Sequence, residues 1–387
     1  MDKFDVTIVG AGLAGLQCAR LLAKQGLRVL LTDRKASLEQ KIHTTGIFVR
    51  RTLEDFDIPD DCLGPVVRHV SLYSPAHRAL HLESKHDEFR VGRMGALYER
   101  FLNQCLYSGV EWLPSATYLD SIQSNNVSVV RFSVENSITS VATRFLIGGD
   151  GASSRVARHL QLDINNEMIV GLENVYDNLP ADGPPRLHCF LSPKLAPGYI
   201  AWVACDGEHA HVGVGGYPNR FDPASALKIF ERDIRKIFDV GNCRQIERRG
   251  GRIPVGGVLQ KIANTRGLLI GDAAGAVSPL TAGGLDPCMR LSTLAANVTG
   301  EFITTGNPAV LQRYSGELFR SRFVSRIWAR RIAAQINSQL LTELGFAALR
   351  LPVFSKLAAH VFFGRGSFPD VGPVLAPGDA AVVRNTT

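Results

Sequence analysis

The first thirty residues switch between two patterns of apolar positions. Phe4-Asp5-Val6-Thr7-Ile8-Val9 is a short apolar run, Gly10-Ala11-Gly12-Leu13-Ala14-Gly15 interrupts it, and Leu16 to Gln25 continues at helical spacing as far as Gly26. The pattern predicts strand, glycine turn, helix and stop. A second apolar run, Arg28-Val29-Leu30-Leu31-Thr32, ends on Asp33. Farther along, Val66–Tyr73 alternates, turns at Ser74-Pro75 and returns as Arg78–Leu82, which predicts a hairpin. Met94–Tyr107, closed by Gly109, predicts a helix. Asp177–Pro185 is crowded with turn residues, and beyond it Arg186–Leu191, Tyr199–Ala204 and His209–Val214 read as antiparallel strands. Pro223–Phe238 reads as an amphipathic helix. From Gly284 to Phe363 helical spacing dominates, and residues 367–387 predict an irregular tail.

Three junctions share one design. Gly10–Gly15, Gly148–Gly151 and Gly271–Gly275 each follow a strand and precede a helix. In a parallel sheet such turns gather at the carboxyl edge, where ligands bind. One suffices for a pyrophosphate, whereas three suit a longer ligand with adenosine, pyrophosphate and a polyol ending in a ring, the shape of FAD. Gly10 permits the tight turn, Gly12 the close approach of a pyrophosphate, and Gly15 the packing of helix on strand. The phosphates would face the open N–H groups and positive end of the helix that starts near Leu13. Asp33 stands at the spacing of a ribose-binding carboxylate. Asp272 can accept from ribityl hydroxyls, and the helix opening at Gly283-Gly284-Leu285 can aim N–H groups at the pyrimidine side of a flavin ring. Ala11, Ala14 and Arg34 complete the expected cofactor set.

A chain of 387 residues exceeds what one core supports. The expected architecture is α/β, α+β overall: a Rossmann-like FAD-binding domain with an inserted antiparallel-sheet substrate domain and a C-terminal helical region. The FAD-binding domain takes residues 1–65, 91–180 and 246–305, the substrate sheet 66–90 and 181–245, and the helical region and tail 306–387. The net charge of +7 suits an anionic cofactor or an anionic lipid surface. No zinc-finger spacing, base-reading helix or aromatic RNA-binding motif accompanies it, so no nucleic-acid partner is expected. Seven scattered cysteines, with no C-x-x-C pair, point to reduced thiols and no zinc site. His209 and His211 share a strand face without a third ligand in view, so no metal is expected. The first strand begins almost at residue 1, leaving no room for a signal peptide, so the expected location is cytoplasmic, with peripheral membrane attachment open. The longest apolar run, Leu344–Phe363, is broken by Arg350, Lys356 and His360. Arg322, Arg326 and Arg330 lie beside Phe323, Ile327, Trp328 and Ile332 in a basic amphipathic helix. That helix either rests on anionic lipid or packs on the protein with its arginines in water, the second being favoured.

At the three glycine motifs the chain resembles flavoproteins of para-hydroxybenzoate hydroxylase type, and within them most nearly the geranylgeranyl reductases. The resemblance runs from residue 4 to about 365 and is most specific at Gly149-Asp150-Gly151-Ala152-x-Ser154. It is equally specific at Gly271-Asp272-Ala273-Ala274-Gly275 with Pro279 and Gly283-Gly284-Leu285, and extends through Gly251–Gly257. It implies that Asp33 binds the adenosine ribose, Arg93 the nucleotide part and Asp272 the ribityl chain, while Asp150 supports the cofactor region. It also implies reduction of an isoprenoid-like or other lipophilic substrate by reduced flavin, with NAD(P)H as external electron donor. The reductases carry Lys-x-Cys-x-x-Gly where this chain has Lys41 to Gly46, so His43 stands in the cysteine's place. Their substrate strand reads Pro-x-x-Tyr-x-Trp-x-Phe-Pro. Here Pro197 and Trp202 persist, Tyr199 is shifted by one, and Val203-Ala204-Cys205 follows. His43 is the candidate general acid, with a cofactor contact as its alternative role, and Tyr199 and Trp202 are candidates to line the substrate. The rival readings are an NAD(P)H-dependent monooxygenase acting on an aromatic or polyketide-like substrate and a non-enzymatic prenyl or lipid carrier.

Overall fold

The computed structural model describes residues 1–364 apart from 125–126, 178–182, 236 and 239–242. The turn-rich loop expected near 178–182 and the tail at 367–387 lie outside the described residues.

The apolar run at the N-terminus forms the strand Lys3–Val9, the centre of an eight-stranded sheet. It pairs in parallel with Val29–Thr32 on one side and Ser137–Gly148 on the other; Glu111–Leu113 and Gly267–Leu269 extend the parallel array. Central strands of such a sheet are covered on both faces and read as continuous apolar runs; Val6 and Ile8 are completely buried. The helices Leu13–Lys24, Met94–Tyr107 and Leu285–Thr305 pack together, the first against both others. All three glycine turns therefore sit at the carboxyl ends of adjacent parallel strands.

The second sheet has seven strands, in the order Gln245–Pro254, Met168–Asp177, His209–Gly216, Ala201–Cys205, Arg186–Phe190, His69–Tyr73 and Ala79–Glu83. All neighbours are antiparallel except Arg186–Phe190 with His69–Tyr73. Two of these strands fall inside segments that the sequence reading gave to the cofactor domain. Met168–Asp177 and Gln245–Pro254 pair with each other along most of their length, and the first also pairs with His209–Gly216. The hydrogen bonding carries them into the antiparallel layer, because strand periodicity does not specify which sheet a strand joins.

The C-terminal helices Val324–Ala334, Gln339–Leu349 and Pro352–Phe363 follow. Phe346 and Ala358 pack on Val70, Leu72, Leu82 and Cys189 of the second sheet, roofing one of its faces. Cys18, Cys62, Cys105, Cys189, Cys205 and Cys288 are free thiols.

Candidate active site

A cavity of about 2660 Å³ runs between the two sheets and under the C-terminal helices. A single small ligand usually occupies ~300–1,000 Å³, so this space suits a long cofactor with a substrate beside it.

Its cofactor end is built from backbone. Gly10 has φ +103, and a Cβ there would stand 2.2 Å from the Gly149 carbonyl oxygen, so only glycine lets two of the three turns meet. A Cβ on Gly15 would stand 1.9 Å from the Gly10 oxygen. That closeness seats the helix on the strand, with Gly15 beneath the cavity wall rather than in it. Gly12 is the opposite case: nothing lies within 4 Å of where its Cβ would be. It is the N-cap of Leu13–Lys24, with no side-chain cap and no acid in the first turn, so the first N–H groups are left to an anion. Asp33 accepts from the Ala11 N–H at 2.8 Å and the Lys35 N–H at 2.9 Å, which fixes its carboxylate at the lip and leaves lone pairs for hydroxyl donors. Ala11, Ala14 and Arg34 line the same end.

Asp150 accepts from Ser154 Oγ at 2.6 Å and from the Arg155 and Val156 N–H groups at 2.7 and 3.2 Å. It ties the second turn, with Gly151, to its short helix. In the third turn, after Gly271, Asp272 faces the cavity and none of the described residues donates to its carboxylate. Burial pushes its pKa up to about 6. Gly283 and Gly284 open the helix Leu285–Thr305, whose first turn faces the cavity. Its one early acid, Asp286, is already engaged by Arg290 at 3.0 Å and Thr52 Oγ1 at 2.9 Å. An open cradle over Gly12, an undonated carboxylate at Asp272 and a free helix end at Gly284 together fit FAD.

The other end is built from side chains. In His209–Gly216 the alternate positions are His209, His211, Gly213 and Gly215, and over the glycine half of this face stand two aromatic rings, set edge to face at 68°. A Cβ on Gly213 would stand 2.3 Å from the Trp202 ring, and one on Gly215 would stand 2.7 Å from the Tyr199 ring. The Trp202 indole N–H reaches Glu173 Oε2 at 3.2 Å, and the Tyr199 hydroxyl donates to the Thr281 carbonyl at 2.8 Å. Leu187, Leu191, Ile200, Leu357 and Val361 continue the wall as apolar surface.

Comparison with known proteins agrees with the cofactor. A family model described as FAD dependent oxidoreductase matches residues 5–104, and one described as FAD binding domain matches residues 116–330. The chain belongs to this FAD-binding family. It is an FAD-dependent oxidoreductase. The digeranylgeranylglycerophospholipid reductase of Methanothrix thermoacetophila is 26% identical over 80% of this chain and 80% of its own length. One such reductase of Methanopyrus kandleri is 29% identical over 88% and 93%. Among solved structures, a geranylgeranyl bacteriochlorophyll reductase-like protein from Thermoplasma acidophilum superposes with TM-score 0.80 at 24% identity, covering 89% of this chain and 91% of its own. The p-nitrophenol 4-monooxygenase of Pseudomonas putida superposes with TM-score 0.73 at 16% identity, covering 95% and 100%.

Two candidate residues of the flavoprotein stand differently from expectation. Arg93 does not line the cavity. Its guanidinium donates to the Asp61 carbonyl at 2.7 Å and to Glu208 at 2.8 Å, pinning the start of Met94–Tyr107 to the second sheet's 206–208 turn. His43 does line the cavity, with Nδ1 3.0 Å from the Gly250 carbonyl. That contact assigns the proton to Nδ1 and leaves Nε2 an acceptor. Partial burial, and then the charges of Lys35 and Arg34, hold its pKa below the ordinary histidine value. The ring is therefore neutral at neutral pH and stores no proton there.

Sequence reasoning passed over Glu173, Thr45, Arg249 and Arg330. Thr45 Oγ1 donates to Glu173 Oε2 at 2.5 Å, and Arg249 Nη1 lies 3.9 Å from Glu173 Oε1. A glutamate in the largely apolar stretch Met168–Tyr176 was the signal available. Arg330 was expected in water or on lipid; it is 2% exposed and donates to the Pro279 and Gly198 carbonyls at 3.0 Å each. The Tyr199 and Tyr217 rings cover it. Helical periodicity placed it on the polar face, but the aromatic and carbonyl cage comes from distant segments.

Proposed function

We propose that this FAD-dependent oxidoreductase reduces carbon–carbon double bonds in an isoprenoid lipid, with NAD(P)H as external electron donor. Bound FAD supplies the two-electron chemistry. The backbone of Gly10–Ala14, Gly149–Gly151 and Asp272 would hold it, and Gly284 would face the far end of it. The observation that carries the substrate reading is the apolar extension of the cavity. Past Trp202 and Tyr199 the walls are Leu187, Leu191, Ile200, Leu357 and Val361. A long hydrocarbon matches that lining, and the names of the curated relatives point to the same substrate class.

The roof of that extension supports lipid contact at a membrane surface. Trp328, Ile332, Leu340, Leu344, Val353 and Leu357 are each more than half exposed. Between residues 318 and 363 the only acid is Glu343, against Arg326, Arg331, Arg350 and Lys356 among others. Exposed apolar groups among cations that outnumber the acids suit an anionic bilayer face. Among the described residues no single helix is long and apolar enough to cross a membrane; Gln339–Leu349 and Pro352–Phe363 are so only as a pair, bent by 99°. A cytoplasmic protein that settles on the bilayer by these helices would draw its substrate straight into the cavity.

The test is an anaerobic titration of FAD-loaded protein. Bleaching by NADPH, NADH or dithionite, followed by return of the flavin colour on adding a geranylgeranyl phospholipid, is the expected course. Colour that returns only with oxygen, and faster when a phenol is present, would move the reading to a monooxygenase.

A further inference from the structure

His209 and His211 share one strand face, and carboxylates surround the second of them. His211 is fully buried between two carboxylates: Nδ1 lies 3.3 Å from Glu173 Oε1 and Nε2 lies 3.3 Å from Asp206 Oδ2. A neutral imidazole can donate from only one nitrogen, so facing two buried carboxylates it satisfies both only as the doubly protonated cation. The surrounding charges come from three elements. Asp206, in the turn before the strand, also accepts from the Glu208 and His209 N–H groups, and its Oδ2 lies 3.8 Å from the His209 ring. Glu173 comes from Met168–Asp177, and Arg249, from Gln245–Pro254, stands behind it. Burial alone would discharge the ring, but the Asp206 and Glu173 bonds overcome it and push its pKa up to about 9. Burial also opposes ionisation of Glu173, yet its bonds to His211 and Thr45 and the Arg249 charge hold it below the usual carboxylate range.

Glu173 has one oxygen on this cation and the other on the cavity side, where Thr45 Oγ1 and Trp202 Nε1 meet it. Glu173, Thr45 and Trp202 all line the cavity, whereas His211 does not.

We propose that His211 is a buried proton store that feeds the cavity through Glu173 and Thr45, supplying the proton that double-bond reduction consumes. The inference rests on the reductase reading. Saturating a carbon–carbon double bond adds hydrogen with an electron pair to one carbon, from the bound cofactor, and a proton to its neighbour. For that proton, the Nδ1–H bond of His211 breaks and an O–H bond forms on Glu173. The Glu173 carboxyl then turns about its Cγ–Cδ bond to bring the protonated oxygen to Thr45, whose hydroxyl, which donates to Glu173 at rest, reverses: it accepts from the carboxyl as that O–H bond breaks and passes its own hydrogen to the carbon. The cation between two carboxylates becomes a neutral ring, still donating from Nε2 to Asp206. Solvent protons recharge it along the same line when the cavity reopens. Asp206 is a positioning residue that keeps the ring oriented and charged.

Two measurements decide this, both on the FAD-loaded full chain. In the first, dithionite-reduced protein is reoxidised by a geranylgeranyl phospholipid in a single anaerobic turnover, in H2O and in D2O. Thr45→Val and Glu173→Gln should each slow reoxidation by about 10²-fold or more, Thr45→Ser should restore most of it, and wild type should slow in D2O. Reduction by dithionite should be equal in all variants. In the second, which needs no lipid, ¹⁵N-histidine spectra follow the exchange of the His211 ring protons with solvent. The Nδ1 proton should exchange readily in wild type and slowly in Thr45→Val, while the Nε2 proton is unchanged. A lipid that fails to reoxidise even wild type removes the substrate reading, and the exchange experiment then decides the store alone. A protected Nδ1 proton, identical in wild type and Thr45→Val, overturns the store, as does wild-type-rate reoxidation by Thr45→Val.

Discussion

The two ends of the cavity are made of different material. At the cofactor end, main chain does the work: Gly10 brings two turns together, Gly12 leaves a cradle open and Gly284 exposes a helix end. At the substrate end, side chains from four separate stretches meet, with Trp202 and Tyr199 lying over Gly213 and Gly215, and Glu173 reached by Thr45 and His211. A site written in backbone depends on what is absent from a few positions close in sequence. A site written in side chains depends on tertiary approach, so one end should be breakable without the other.

The largest expected effect is at Gly12. With φ −71 and open space around its Cβ direction, Gly12→Val fits the fold but fills the cofactor cradle. The purified protein should be folded, with wild-type circular dichroism, and colourless even after FAD is added. At the opposite end, Gly213→Val forces the indole from its place, since a Cβ alone would stand 2.3 Å from the ring. That variant should stay yellow and reducible by dithionite, yet lose lipid-driven reoxidation.

Asp272→Ala should have a smaller effect at the cofactor end. Removing hydrogen bonds made by a charged group costs roughly 1.5–3 kcal/mol, or about 10- to 100-fold in the FAD dissociation constant measured by fluorescence quenching. Because burial raises the Asp272 pKa to about 6, wild-type affinity should shift with pH near 6, and Asp272→Asn should flatten that dependence. Of comparable size is the linkage at His211. Its pKa of about 9 lies above the unfolded value near 6.5. Its contribution to stability is thus complete below about 6.5 and declines as pH rises through about 9, which denaturant melts across that window would record. Asp206→Asn should shrink the slope. The smallest expected effect is on the roof: Trp328→Ser should weaken binding to anionic vesicles severalfold and leave neutral vesicles unaffected.

The same contrast explains what could be read from the chain. The strand-glycine-helix junctions, the helix Met94–Tyr107 and the hairpin at His69–Glu83 follow from local periodicity and turn residues, and all three stand in the fold. FAD followed from the same local pattern. That Asp33, Asp272 and Gly284 meet at one cavity was legible because a glycine or strand end beside each fixes where it stands. Arg93 was placed on the cofactor by resemblance alone, and its partners Asp61 and Glu208 come from segments that no local pattern joins to it. Strands Met168–Asp177 and Gln245–Pro254 were assigned to the wrong layer, because strand periodicity does not say which sheet a strand joins. Glu173 and Arg330 were invisible for the same reason: a buried charge is explained only by the distant groups that satisfy it.

The account turns on one cavity holding FAD at its backbone-lined end and a long unsaturated hydrocarbon at the other. Its most direct test is the mass spectrum of a geranylgeranyl phospholipid after anaerobic turnover with dithionite-reduced, FAD-loaded protein. The account predicts products heavier by two hydrogens for each double bond reduced, absent with Gly213→Val. Lipid recovered unchanged, while the same protein in air inserts oxygen into an aromatic compound, would contradict it.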